Sequence, residues 1–100
     1  MGKRRKGEQP VPREVRDFTP DMAVARTIRE GDPWFYAWNA QETTGGDRLR
    51  KRTGIPTARL KEIESGGPIT RVELEALAKA WWITPEGLLA SMPHPERVVD

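Results

Sequence analysis

Residues 47–64 read DRLRKRTGIPTARLKEIE. This pattern predicts two short helices, over residues 47–52 and 56–64, separated by a turn that contains Gly54. Glycine adopts a positive φ without steric cost, so it suits a tight turn between two helices. Four apolar residues are spaced to face a common core: Leu49, Ile55, Leu60 and Ile63. The stretch therefore has the pattern of a helix-turn-helix unit.

The segments on either side carry further helix signals. A threonine or aspartate precedes a proline at three places, which pairs an N-cap oxygen with a residue suited to the first helical turn: Thr19, Asp32 and Thr84. Thr70 and Glu73 have capping-box spacing. These signals predict helices over 20–29 and 33–41, and two more that begin near Thr70 and Thr84. Because no stretch alternates apolar and polar residues, the predicted fold class is all-α, a small bundle of five to six helices.

The composition excludes most enzyme chemistry. One hundred residues leave room for a single core, and they include no cysteine and one histidine, His94. Without cysteine the chain has no disulfides, thiolate nucleophiles or cysteine-based metal sites, and one histidine is a poor basis for a catalytic triad. We therefore expect a binding protein rather than an enzyme, with no metal and no cofactor.

The formal net charge of +2 is informative once the charges are placed along the chain. Residues 1–17 and 46–64 each carry six basic and three acidic residues. The residues from 65 onward carry three basic and five acidic residues. The first segment also has few apolar residues, which predicts a flexible basic arm over 1–18. After the arm we predict a helical domain over 19–92 and a C-terminal tail over 93–100. This asymmetry favours an anionic partner on one face.

The chain has no segment typical of membrane insertion or export. No apolar run approaches the roughly 18 residues that span a bilayer. The basic residues near Met1 are not followed by an apolar signal core. We therefore expect no membrane partner and a cytoplasmic location.

Four stretches of the sequence resemble one known family: LRKRTGI at 49–55, LKEIESG at 60–66, LEALAKA at 74–80 and ITPEGLL at 83–89. They are similar to the Cro and lambda-repressor type of helix-turn-helix domain, also called the XRE family. The resemblance covers about half of the chain directly, and more if the predicted helix over 33–41 is the family's first. It implies a lambda-repressor-like fold and sequence-specific binding of double-stranded DNA, as in small bacterial or phage transcriptional regulators.

The resemblance also implies which residues contact DNA. The second helix of the unit, residues 56–64, would read base edges in the major groove. Base contacts would come from its exposed positions: Thr57, Ala58, Lys61, Glu62 and Ser65. Phosphate contacts, which fix the register and give salt-dependent affinity, would come from basic residues nearby: Arg48, Arg50, Lys51, Arg52 and Arg59. Because many family members bind inverted repeats as dimers, we also expect a homodimer.

The chemistry of each side chain suggests its base partner. Lys61 is able to reach guanine O6 or N7, and the methyl group of Ala58 is able to pack on a thymine methyl. Glu62 is able to accept a hydrogen bond from a cytosine amino group. The basic cluster of the arm is a possible minor-groove contact, or else a solvated tail or a nuclear address: Lys3, Arg4, Arg5 and Lys6.

Three positions depart from the family's pattern. Arg50 stands where a small residue usually lets the two helices approach, and Gly46 where a glutamine often clamps a phosphate. Trp82 stands where glycine usually ends the fourth helix, so it would cover the N-terminal segments or lie in an interface. These departures, together with Glu62, support a second hypothesis: a protein-interaction module, such as an antitoxin or phage adaptor, that binds a partner protein.

Two further expectations concern structural residues. The aromatic residues at helical spacing are predicted core residues, with a stacking site for exposed bases as the alternative: Trp34, Phe35, Trp38 and Trp81. Glu62 and Glu64 are two residues apart on a helix and point in different directions, which argues against a paired acid–base site. Glu64 is instead predicted to brace the bundle through an arginine partner.

Overall fold

The turn around Gly54 joins two helices, as the sequence predicts. In the computed structural model, which describes residues 14–42 and 46–99, the first of these is α3 and the second is α4. The helices are α1 (Ala23–Arg29), α2 (Trp34–Gln41), α3 (Gly46–Thr53), α4 (Thr57–Glu64), α5 (Arg71–Ala80) and α6 (Pro85–Ala90). Two short strands, β1 (Ile69–Thr70) and β2 (Val98–Val99), and a 3₁₀ turn over Pro95–Arg97 complete the described elements. The protein is thus a small, mostly helical bundle.

The turn between α3 and α4 has the backbone that its glycine suggests. Gly54 has φ +75°, and its N–H donates to the carbonyl of Arg50 at 2.8 Å. The hydroxyl of Thr53 donates to the carbonyl of Leu49 and accepts from the N–H of Ile55. These bonds satisfy backbone groups at the end of α3, so the turn has a defined geometry.

Two of the predicted helix caps are present and two are not. Thr70 and Glu73 form a capping box at the start of α5, and the hydroxyl of Thr84 accepts from the N–H of Gly87 at the start of α6. The predicted caps Thr19 and Asp32 are wrong, because each of these helices begins later than its proline suggested. The N-cap residues of α1 and α2 are Met22 and Pro33, which have extended backbones and no side-chain capping bond.

The core contains the predicted aromatic cluster. Trp38 and Trp81 are fully buried and stacked, with ring centroids 6.0 Å apart and an interplanar angle of 12°. Trp34 and Phe35 meet Trp81 edge to face. The indole N–H groups of Trp34 and Trp38 both donate to the hydroxyl of buried Ser91, at 3.0 Å each. The four apolar residues of 47–64 are buried in the same core, as predicted: Leu49, Ile55, Leu60 and Ile63.

Both ends of the described chain are packed more extensively than the sequence predicted. Arg16, inside the predicted arm, exchanges backbone hydrogen bonds with Trp82 and Thr84. At the other end, inside the predicted tail, β2 pairs in parallel with β1, and Val98 lies opposite Ile69. Two-residue strands are too short to leave an alternating pattern in the sequence. None of the helices among the described residues is long and apolar enough to cross a membrane.

Candidate nucleic-acid interface

The two faces of α4 differ in the way the sequence predicts. Its inward residues, Leu60 and Ile63, are 5% and 0% exposed. The predicted base-contacting residues on the opposite face are all exposed: Thr57, Ala58, Lys61, Glu62 and Ser65. The structure therefore brings these five side chains to one solvent-facing surface, which we call the α4 outer face.

The polar groups of the α4 outer face are only partly occupied by the protein itself. The hydroxyl of Ser65 donates to the carbonyl of Lys61 at 2.8 Å. Within the described part of the chain, the Lys61 ammonium forms no ion pair. The first turn of α4 follows Pro56, which forms no side-chain capping bond, so no capping side chain satisfies its N–H groups.

Arg59, one of the predicted phosphate contacts, is engaged by groups of the protein itself. Its Nε and one Nη donate to the two carboxylate oxygens of Glu73 at 2.7 and 2.8 Å. Its other contacts are with Glu62 Oε1 at 3.0 Å and the carbonyl of Pro68 at 2.9 Å. Four donated hydrogen bonds occupy most of this guanidinium, which has five N–H groups. Arg59 therefore braces α4 against α5 and has little left to offer a phosphate.

The Arg59–Glu73 ion pair shifts the pKa of both partners. Arg59 lowers the pKa of the Glu73 carboxyl from 4.5 to about 2, and its hydrogen bond is the largest cause. In turn, the hydrogen bonds to Glu73 and then Glu62 raise the pKa of Arg59. Glu73 also accepts from the N–H of Thr70, so one carboxylate closes the capping box and holds the brace.

The bracing carboxylate is Glu73, whereas the sequence suggested Glu64. Glu64 is exposed and makes no ion pair with another residue that the structure describes. The capping-box spacing gave Glu73 a local role, and nothing in the sequence indicated its second partner. Glu62 also takes part in this brace, because its carboxylate accepts a hydrogen bond from Arg59. This contact leaves Glu62 less free to accept a hydrogen bond from a base.

The cations of α3 differ in how far they are engaged. Arg48 is exposed and has no ion-pair partner among the described residues. Arg50 and Lys51 lie 3.0 and 3.8 Å from the carboxylate of Asp47, and these pairs are largely solvent-exposed. Arg50 is half-buried, so its stem lies along the bundle while its head reaches Asp47. Exposed pairs of this kind are weak, and a phosphate competes with them easily.

Arg52 connects α3 with the surface around Trp82. Its Nη1 donates to the carbonyl of Ala80 at 3.3 Å. Together with Val15, Lys79 and Trp82, these residues line an open groove of about 310 Å³ that is mostly apolar. Trp82 has φ +59°, the left-handed conformation that glycine adopts most easily. At the position where the resemblance suggests a glycine, Trp82 therefore has the backbone conformation that a glycine adopts most easily.

Arg16 supports this unusual backbone. Its N–H and Nε both donate to the carbonyl of Trp82, at 3.0 and 3.1 Å. Its Nη2 donates to the carbonyl of Trp81 at 2.9 Å and to buried Glu42 at 2.8 Å. A left-handed non-glycine residue costs about 1–2 kcal/mol, and these bonds help to offset that cost. No sequence signal indicated the role of Arg16, which lies in the predicted arm.

The basic cluster Lys3–Lys6 of the predicted arm lies outside the residues that the structure describes. Gly46 is the first residue of α3, where the resemblance suggests a glutamine. Among the described residues, no group of three or more histidine, aspartate or glutamate side chains is arranged to hold a metal ion.

Comparison with known proteins adds no relative. The chain matches none of the protein-family models, and neither a curated protein nor a solved structure is significantly similar to it.

Proposed function

We propose that the protein binds double-stranded DNA in a sequence-specific way, with α3, the turn and α4 acting as a helix-turn-helix unit. The observation that supports this most directly is the α4 outer face. It presents five exposed side chains, four of them polar and one a methyl group, beside the cationic helix α3. On the opposite side of α4, Leu60 and Ile63 anchor the helix to the core. A helix fixed on one side and exposed on the other is what major-groove reading requires.

The side chains divide into two kinds of contact. Lys61, Thr57 and Ala58 face outward from α4 and are suited to base edges. Arg48 and Lys51 are exposed cations on α3 and are suited to phosphates. A small bacterial or phage transcriptional regulator is the biological role that fits this chemistry and size. Because one such domain covers little DNA, we propose that it acts as a homodimer, which sedimentation of the free and DNA-bound chain would test.

Selection from a pool of random duplexes tests the proposal. We expect enrichment of one sequence motif, and we expect the double variant Thr57→Ala/Lys61→Ala to lose the preference for the selected duplex over a scrambled one. Lys79→Ala is the matched control, because it removes the same charge from an exposed position outside α3 and α4. Absence of any enriched motif, or a double variant that discriminates as well as the control, would contradict base reading by α4.

The groove at Trp82 favours a second candidate function. Its apolar lining, with Val15 57% exposed, is the kind of surface that protein partners cover. A protein-interaction module on the same fold would use this groove and bind bulk duplex DNA weakly, without a steep salt dependence. Measuring duplex affinity at low and moderate salt separates the two functions.

A further inference from the structure

A cleft beside the C-terminal end of α4, lined in part by Ser65 of the α4 outer face, carries charges without ionic partners among the described residues. It has a volume of about 510 Å³, which is in the range of small-molecule sites, and it lies where the C-terminal end of α4 meets the start of α2 and the 3₁₀ turn. Its apolar wall is formed by Trp34, Phe35 and Met92. These three side chains are at most 6% exposed, so they form a rigid wall.

Arg97 is the cation of this cleft. Its Nη2 donates to the carbonyls of Ile63 and Gly67 at 2.6 and 2.8 Å, and its Nε donates to Gly67 at 3.1 Å. The guanidinium also lies 5.9 Å from the centroid of the Trp34 ring. Burial lowers the pKa of Arg97. Within the described chain no carboxylate pairs with it, and its Nη1 makes no hydrogen bond.

Two carboxylates line the same cleft. Asp32 and Glu64 are both exposed, and neither forms an ion pair with another described residue. A half-buried guanidinium without a counter-ion is a favourable position for a bound anion, because the desolvation cost is already met in the folded chain. The unpaired carboxylates are correspondingly suited to a bound cation. The cleft therefore offers both signs of charge beside an aromatic wall.

We propose that this cleft binds a small zwitterion with an apolar side chain, of the α-amino-acid class. Its carboxylate binds Arg97, its ammonium group lies at Asp32 and Glu64, and its side chain packs on Trp34, Phe35 and Met92. Because Arg97 also donates to the carbonyls of Ile63 and Gly67 through Nε and Nη2, a carboxylate bound at Nη1 shares the guanidinium with these backbone groups. Binding is therefore expected to change the environment of residues 63–67. The site does not depend on DNA binding by α4.

Titration of the full chain with three matched probes tests the charge pattern. L-phenylalanine carries both charges, phenylacetate carries only the anion, and phenethylamine carries only the cation. We expect saturable binding of phenylalanine, with NMR shifts at the Trp34 indole N–H and the Ser65 and Gly66 amides, and at least about tenfold weaker binding of the other two probes. L-leucine and L-methionine are included so that the apolar side chain is varied.

Variants assign the charges. Arg97→Gln is expected to weaken phenylalanine binding at least about tenfold, and Arg71→Gln, at an exposed position outside the cleft, is expected to leave it unchanged. Because Arg97 also supports the fold, Glu64→Gln provides a second test at an exposed position, and it is expected to reduce the preference for phenylalanine over phenylacetate. The proposal is overturned if none of the three amino acids binds saturably, if phenylacetate binds as tightly as phenylalanine, or if Glu64→Gln leaves that preference intact.

Discussion

Replacing Glu73 by glutamine tests whether the Arg59–Glu73 brace holds α4 on the bundle. Glutamine keeps the shape of the side chain and an oxygen that accepts from the N–H of Thr70, so the capping box is retained. The change removes the negative charge and one of the two hydrogen bonds from Arg59. The variant therefore isolates the ion pair from the cap.

The size of the effect follows from the pKa of Glu73. A fall from 4.5 to about 2 corresponds to at most about 3 kcal/mol of preference for the ionised form in the folded chain. The side chains of Arg59 and Glu73 are 28% and 18% exposed, so water screens the pair and reduces this value. We expect Glu73→Gln to lower the free energy of unfolding by about 1–2 kcal/mol at pH 7.

The pH dependence has a definite sign. Because the pKa of Glu73 is lower in the folded than in the unfolded chain, the stabilisation is complete above about pH 5. It is lost as the pH falls from 4.5 to about 2 and the folded-state carboxylate becomes protonated. The stability difference between the wild-type chain and Glu73→Gln is therefore expected to shrink towards zero over this range.

Denaturant unfolding followed by tryptophan fluorescence measures both quantities. Glu75→Gln is the matched control, because Glu75 is an exposed residue of the same helix with no ion pair among the described residues. It is expected to change the stability by less than about 0.5 kcal/mol. A Glu73→Gln variant as stable as this control at pH 7, or a difference that stays constant down to pH 2, would refute the brace.

Three other changes have expected outcomes. Ser91→Ala leaves the buried indole N–H groups of Trp34 and Trp38 without an acceptor. The free energy of unfolding, measured by thermal unfolding, should therefore fall by about 2–4 kcal/mol. A fall of less than about 1 kcal/mol would contradict the shared hydrogen-bond acceptor. Gly54→Ala should cost about 1–2 kcal/mol through its φ of +75° alone, because no atom lies within 4 Å of the added methyl, and an unchanged unfolding midpoint would argue against that backbone. If α3 contacts phosphates, Arg48→Gln should weaken binding to all duplexes alike and lower the slope of log affinity against log salt by about one, whereas a sequence-dependent loss would indicate a base contact.

The features that follow from local rules were predictable from the sequence. The positive φ of Gly54, the capping box at Thr70 and the burial of Leu60 and Ile63 each depend on residues within one turn or one helix face. Such signals need no knowledge of the tertiary structure. The exposure of the α4 outer face follows from the same periodicity.

The partners of charged residues were not predictable in this way. The position of Arg59 in the sequence suggests a phosphate contact. Only the structure shows that Glu73, on the next helix, accepts hydrogen bonds from its guanidinium. Arg97 lies inside the predicted tail over 93–100, and its partner Gly67 is 30 residues away in sequence. The left-handed backbone of Trp82 is likewise supported by Arg16, whose Nε donates to the Trp82 carbonyl from 66 residues away in sequence. Long-range contacts of this kind leave no local pattern.

NMR mapping of the DNA-binding surface tests whether the α4 outer face reads bases. Amide and side-chain shifts would be recorded for the full chain on addition of its selected duplex at moderate salt. We expect the largest shifts on the α4 outer face and on α3. A scrambled duplex is expected to shift α3 but not Thr57 and Lys61. Shifts centred on the groove at Trp82, or no difference between the two duplexes at the α4 outer face, would contradict base reading by α4.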